Sequence, residues 1–287
     1  LKNSKTEKRQ LKKRHLILSI LVVLLTGILF FRTLNYFRQV IIEAPTASLK
    51  KGPGIEYSQL KTLKKGSRIT IIRSKYHWFY IKTSDNHFGW IADWNLATKE
   101  RNQIDDLADA TIVLDPGHGG ADSGALSANG RMEKTYTLKV AKKVAASLRQ
   151  RGAKVYLTRS ADKYVDLEPR AQLSNNVHAD AFISFHFDSS PVENGASGIT
   201  TYYYHQKTSY SLAKSVNSQF KALSLENRGI DFGDFLVIRA NNFPSILLEM
   251  GYINSSRDFE QINSASYRNQ VASDVVRGLK AYFDSKN

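Results

Sequence analysis

The stretch TIVLDPGHGGADSGA, Thr111–Ala125, decides how the chain is read. Three β-favouring residues, Ile112, Val113 and Leu114, run into Asp-Pro-Gly-His-Gly-Gly. A short apolar run stopped by proline and glycines reads as a buried strand followed by a loop. His118 then stands among glycines just where the strand ends. A core histidine needs side-chain walls. Glycines supply none; they let backbone, metal or ligand approach. The stretch therefore asks what His118 touches.

Downstream, strands and helices alternate. Met132–Gln150 predicts a helix with Tyr136, Val140, Val144 and Leu148 on one face. Ala153–Thr158 predicts a strand, Leu167–Val177 a helix, and Ala181–Phe187 and Gly198–Tyr204 two strands. Ser209–Leu223 predicts a helix, Phe235–Arg239 and Pro244–Met250 strands, and Ala265–Phe283 a last helix. The fold class is α/β, a twisted and mostly parallel sheet flanked by helices over residues 111–284.

Polar residues fall at the strand ends. In AFISFHFD, residues 181–188, Phe182, Ser184, His186 and Asp188 share one side, which puts His186 near the carboxyl end. Glu249 is a lone carboxylate closing the apolar run SILLEM. Glu133 precedes Tyr136 by three residues and Val140 by seven, so it lies on the buried helical face. Buried carboxylates are costly unless paired or metal-bound. Open α/β sheets bind ligands at the carboxyl ends of their strands. Two histidines, a carboxylate and an open fourth position suit a catalytic zinc, with a further carboxylate to move protons. The candidates are scattered along the chain, so spacing leaves each a bland alternative: a core histidine, a glutamate at a helix start, a salt-bridged carboxylate.

Upstream, LILSILVVLLTGILFF, Leu16–Phe31, follows a basic tail at residues 1–15. Sixteen helical residues rise about 24 Å, short of a hydrocarbon core of about 30 Å. Continuing to residue 37, with Arg32 snorkelling and Tyr36 and Phe37 at the interface, makes up the difference. Lys5, Lys8, Arg9, Lys12, Lys13 and Arg14 predict a cytoplasmic N-terminus, a single-pass anchor over 16–37 and everything later outside. The alternative is a cleaved signal peptide; Arg-Thr-Leu-Asn rather than an A-x-A site follows Phe31.

Residues 41–98 show short strand-like runs broken by turns and no helical period. Gly52-Pro53, Tyr57, Leu63, Lys65-Gly66, Trp78 and Gly89-Trp90-Ile91 resemble a bacterial SH3-like domain, a small all-β barrel. Ser48-Leu49-Lys50 stands where that family usually has Asn-Val-Arg. Lys50, Lys51, Lys61, Lys64 and Lys65 offer either a contact to anionic lipid or wall polymer or an ordinary solvated face. Residues 99–110 read as a linker. Thr33–Ala44, fully extended, would span at most about 40 Å between anchor and module.

The net charge is +15. Basic residues outnumber acidic ones nine to one in Leu1–Val40, nine to four in Ile41–Thr98 and twenty-three to twenty-one thereafter. No basic nucleic-acid groove is expected in the large C-terminal part. There is no cysteine, which excludes disulfides, thiolate metal sites and cysteine nucleophiles.

Four motifs in order resemble the zinc-dependent N-acetylmuramoyl-L-alanine amidases of the amidase type 3 family. They are VLDPGHGGADSGA, MEKTYTLKVAKKVAASLRQRGAKVYLTR, LEPRAQLSNNVHADAFISFH and PSILLEMGYINS, and together they cover the domain. The resemblance implies Zn²⁺ held by His118, Glu133 and His186, with Glu249 as the catalytic carboxylate. It implies hydrolysis of the amide between N-acetylmuramic acid and L-alanine in peptidoglycan, at the cell membrane of a Gram-positive bacterium. Asp188, a weak candidate for substrate binding, replaces the family's more common asparagine, which keeps an acceptor and removes a donor. Arg228, before Gly229, is a weaker candidate for substrate carboxylates. Two alternatives are an inactive wall-binding scaffold and a zinc peptidase cutting within the stem peptide. An anchor also makes a membrane-protein partner plausible.

Overall fold

The computed structural model describes residues 2–37, 39–54, 57–75, 77–96 and 106–286. Most of the expected linker lies outside them, as do the side chains of Lys5, Lys8, Arg9, Tyr36 and Phe37. Helix α1 spans Lys2–Phe37. Its segment Lys12–Thr33 has a mean hydropathy of 2.4 and no part of it is buried. Those 22 residues rise about 33 Å, enough for a hydrocarbon core of about 30 Å. Leu16 to Phe31 are exposed all round, so no protein surface covers the apolar helix. Thr26 and Thr33 donate back to the carbonyls of Val22 and Leu29, which satisfies their hydroxyls inside the helix.

Strand β1, Gln39–Ile41, begins only two residues after α1 ends. Thr33–Phe37 is helix and Gln39–Ile41 is strand, so the connection is far shorter than a dozen extended residues. β1 pairs with β4, Arg68–Lys75, which ties the module directly to the end of the helix. The remaining strands are β2, Thr46–Lys50; β3, Gln59–Lys64; β5, Trp78–Thr83; and β6, Phe88–Ala92. Their order is β1-β4-β5-β6-β2-β3. Edge strands β1 and β3 do not pair with each other among the described residues, so the expected barrel is an open, curled sheet. Ile42, Leu49, Leu63, Ile69, Ile81 and Ile91 form its core.

The proposed basic face is smaller than the sequence suggests. Lys50 is buried, and its Nζ reaches the Tyr57 carbonyl. Lys61 is paired with Asp85. Lys51, Lys64 and Lys65 remain exposed.

The second sheet contains β7, Thr111–Pro116; β8, Lys154–Leu157; β9, Ala181–Asp188; β10, Ile199–Tyr203; β11, Asn227–Phe232; and β12, Ser245–Tyr252. Its order is β11-β10-β12-β9-β7-β8, and only β10–β12 is antiparallel. Helices α2, Glu133–Gln150; α4, Gln206–Asn217; and α7, Ala265–Asp284 cover one face. Tyr136, Val140, Leu212, Val216, Val275 and Leu279 there meet Ile112, Leu114, Ile183, Phe185, Ile246 and Leu248. Val113, Phe182 and Leu247 point to the other face, under α3, Leu167–Val177, and α5, Leu236–Arg239. The alternation along β7, β9 and β12 sorts the two cores.

Phe235–Arg239 is not a strand. Leu236–Arg239 makes one helical turn whose Val237 and Ile238 are buried under the sheet. A five-residue apolar run fits a strand or a buried turn equally, and here packing chooses the turn. Trp78 and Trp90 belong to the core shared with the second domain, so the module packs against it rather than hanging free.

Candidate active site

The site lies at the carboxyl ends of β7, β9 and β12. His118 follows β7 with φ 58°, a left-handed conformation uncommon outside glycine. Its Nδ1 lies 2.8 Å from Asp122 Oδ2 and its Nε2 lies 3.0 Å from Glu133 Oε2. Asp122 accepts from Nδ1, and Nε2 is the nitrogen turned toward Glu133 and the centre of the group. Glu133 opens α2 and is buried. Its Oε1 accepts the Phe187 N–H at 2.9 Å and faces His186 Nδ1 at 3.1 Å. Its Oε2 accepts the Ala125 N–H at 2.9 Å. The ligand atoms of His118, Glu133 and His186 all lie within 4.8 Å of one another. This His-Glu-His group fits a metal ion by donor type and spacing.

The glycines now have a reason. A Cβ on Gly117 would run into the His186 ring. A Cβ on Gly124 would lie 2.5 Å from Glu133 Oε2 and 2.7 Å from His118 Cδ2. Side chains at either position would displace the ligand atoms.

Burial opposes charge on His118, but Glu133 and Asp122 outweigh it and push its pKa up. Burial likewise opposes charge on Glu133, yet the two histidines hold its pKa well below the ordinary carboxylate value. Glu249 sits on β12 in register with His186 on β9. Its Oε2 is buried and has no hydrogen-bond partner among the described residues. Burial, then the charges of Glu133 and Asp188, push its pKa well above the usual range. A buried carboxylate oxygen without a partner, beside a possible metal group, is placed to take and return a proton.

A cavity of about 380 Å³ opens at the site, lined by His118, His186, Asp122, Tyr164, Leu167 and Phe235 among others. Asp188 lies past the end of this group. It accepts the Ser189 N–H at 2.7 Å and the Tyr252 hydroxyl, and burial together with Asp188 pushes that phenol up to about 12. Both contacts use Asp188 as an acceptor. Arg228 is exposed on β11, with its guanidinium 5.5 Å from the Tyr252 ring centroid, and it does not line the cavity.

Asp122 is the contact the sequence reading missed. Its only signal is a carboxylate four residues after His118 in a glycine-rich loop. Sequence reading also misses the buried Asp115, Arg159 and Arg170 behind this group, because a single charged residue at a strand end or in a helix carries no pattern that marks it as buried.

The N-acetylmuramoyl-L-alanine amidase family matches residues 112–281, and the bacterial SH3 domain family matches residues 45–97. A Staphylococcus epidermidis protein described as a probable cell wall amidase LytH is 40% identical over 83% of this chain and 82% of its own length. The protein so described from Staphylococcus saprophyticus is 36% identical over 92% of this chain and 93% of its own. Among solved structures, the N-acetylmuramoyl-L-alanine amidase of Clostridium difficile 630 is 37% identical with a TM-score of 0.60, covering 62% of this chain and 98% of that one. The amidase AmiC2 of Nostoc punctiforme is 38% identical with a TM-score of 0.59, over 61% of this chain and 97% of its own.

Proposed function

This chain belongs to the N-acetylmuramoyl-L-alanine amidase family, and we propose that it is a Zn²⁺-dependent enzyme working at the outer face of a cytoplasmic membrane. Its activity is hydrolysis of the amide between N-acetylmuramic acid and L-alanine in peptidoglycan. His118, Glu133 and His186 would hold the zinc. When bound, the metal polarises the carbonyl and makes a nucleophile available at neutral pH. Glu249 takes a proton from the attacking water at its unpartnered Oε2 and passes it to the nitrogen of L-alanine as the C–N bond breaks. The burial that raises the Glu249 pKa helps it keep the proton between those steps. Asp122 keeps the His118 tautomer through Nδ1. The convergence of two histidines, Glu133 and an unpartnered Glu249 carries this reading.

Mass spectrometry of digested peptidoglycan tests the reaction. Intact stem peptides with a free L-alanine amine are the expected product. Cuts within the stem would instead identify a peptidase, and no cuts would identify a wall-binding scaffold.

The exposed apolar helix supports an anchor with the N-terminus in the cytoplasm, the module following it closely and the amidase domain beyond. A chain lacking residues 1–38 keeps β1 and its pairing with β4. At matched expression the full chain is expected to act on newly labelled, membrane-proximal wall, and the truncated form to act without that restriction. Identical labelling patterns would show that the helix does not set substrate choice.

A further inference from the structure

Behind the metal-ligand group lies a buried polar brace. Asp115, at the end of β7, is wholly buried. It accepts hydrogen bonds from Thr158 Oγ1 at 2.6 Å, Arg170 Nη1 at 2.9 Å and Ser184 Oγ at 2.7 Å. Arg170, 2% exposed, donates onward to the carbonyls of Pro116 at 2.9 Å and His118 at 3.0 Å. Arg159, 3% exposed, donates to the carbonyls of Pro116 at 2.9 Å, Gly117 at 2.8 Å and Lys134 at 2.9 Å. Thr137 Oγ1 donates to the Gly117 carbonyl at 2.9 Å and lies 3.1 Å from Arg159 Nη2.

We infer that Arg159 and Arg170 are positioning residues that set the metal affinity of this site by locking the His118 loop to the helix that carries Glu133. The inference rests on the His118–Glu133–His186 metal reading. Three consecutive carbonyls, 116 to 118, and the carbonyl next to Glu133 are held by two guanidinium groups. A planar fork with several fixed donors can hold carbonyls from two segments at once; an ammonium is a point donor on a flexible stem. The hold also fixes a left-handed residue, since His118 sits at φ 58° and Arg170 takes its carbonyl directly. Ser184 extends the brace to β9, two residues before His186. Charge alone would work the other way. Two guanidinium groups against one buried carboxylate leave a positive excess that repels a cation, so any gain in affinity must come from geometry.

Arg159→Lys keeps the charge and loses the fork. The zinc dissociation constant, measured by competition with a chromogenic chelator, is expected to rise about 10- to 100-fold, the range for groups that orient metal ligands. The cobalt-substituted protein should show altered visible bands, a change that a drop in metal-free stability alone would not produce. Thr137→Val provides a second variant if Arg159→Lys fails to fold. It should weaken zinc binding, and Thr137→Ser should restore it. Unchanged zinc affinity in variants whose metal-free stability has dropped would make the brace a fold element only and overturn the inference. A wild-type chain that binds no zinc would remove the metal reading itself, and this inference with it.

Discussion

Replacing Glu249 by glutamine is expected to lower turnover by about 10²- to 10⁴-fold, the usual contribution of a positioned general acid–base group. The amide has nearly the same shape and occupies the same place beside His186 in register, so substrate access is preserved. It can neither take the proton of the attacking water nor return it to the departing amine. Stability should not suffer much, because Oε2 makes no hydrogen bond that the change would break. Metal content should stay at the wild-type level, since Glu249 is not among the three residues whose ligand atoms cluster. Turnover on purified peptidoglycan together with metal analysis checks both halves. Retained turnover would remove Glu249 from the chemistry. Loss of metal would make it a ligand.

The features that made this site legible are those with a strong local cause. The apolar run of β7 and the glycines after it are visible because a strand ending against the crowded side chains of His118, Glu133 and His186 has no room for further ones. The alternation in β9 separates Phe185 and Phe187, in the main core, from Ser184 and His186. Glu133 is readable as buried because its helix shows a clean apolar face through Tyr136, Val140 and Val144.

What escaped had no period. β11 is a half-exposed edge strand with Asn227, Arg228, Gly229 and Asp231, paired on one side only, so neither alternation nor apolar run marks it. Helix α6, Ser256–Asn263, is polar except for Phe259 and Ile262 and is announced mainly by its cap, where Ser255 accepts the Asp258 N–H. The brace of Asp115, Arg159 and Arg170 is invisible in sequence for another reason. The partners that tie it together lie 22 to 69 residues apart and include backbone carbonyls, which leave no side-chain signature. The open edge of the module follows from pairing across distant strands, which the turn signals do not encode.

His118→Gly is expected to abolish metal-linked stabilisation as well as activity. Glycine is the suitable replacement, because residue 118 has φ 58° and a residue without Cβ holds that conformation without help from the ring's contacts. The ring also contacts Asp122 and Glu133, so the metal-free variant will lose some stability for reasons unrelated to zinc. The change produced by metal is therefore the informative quantity. Zinc at about 1,000 times its dissociation constant stabilises a protein by about 4 kcal/mol. For a domain of this size that corresponds to a rise of about 8–16 °C in melting temperature. Calorimetry should show that rise for the wild-type chain, its reversal by a chelator, and no response in His118→Gly. Glu249→Gln should respond as the wild type does, which separates holding the metal from moving the proton. A full response in His118→Gly would mean that His118 is not a ligand. The Asp122–His118–Glu133 chain would then be a hydrogen-bonded fold element, and the glycines around it would be making room for the two rings rather than for an ion.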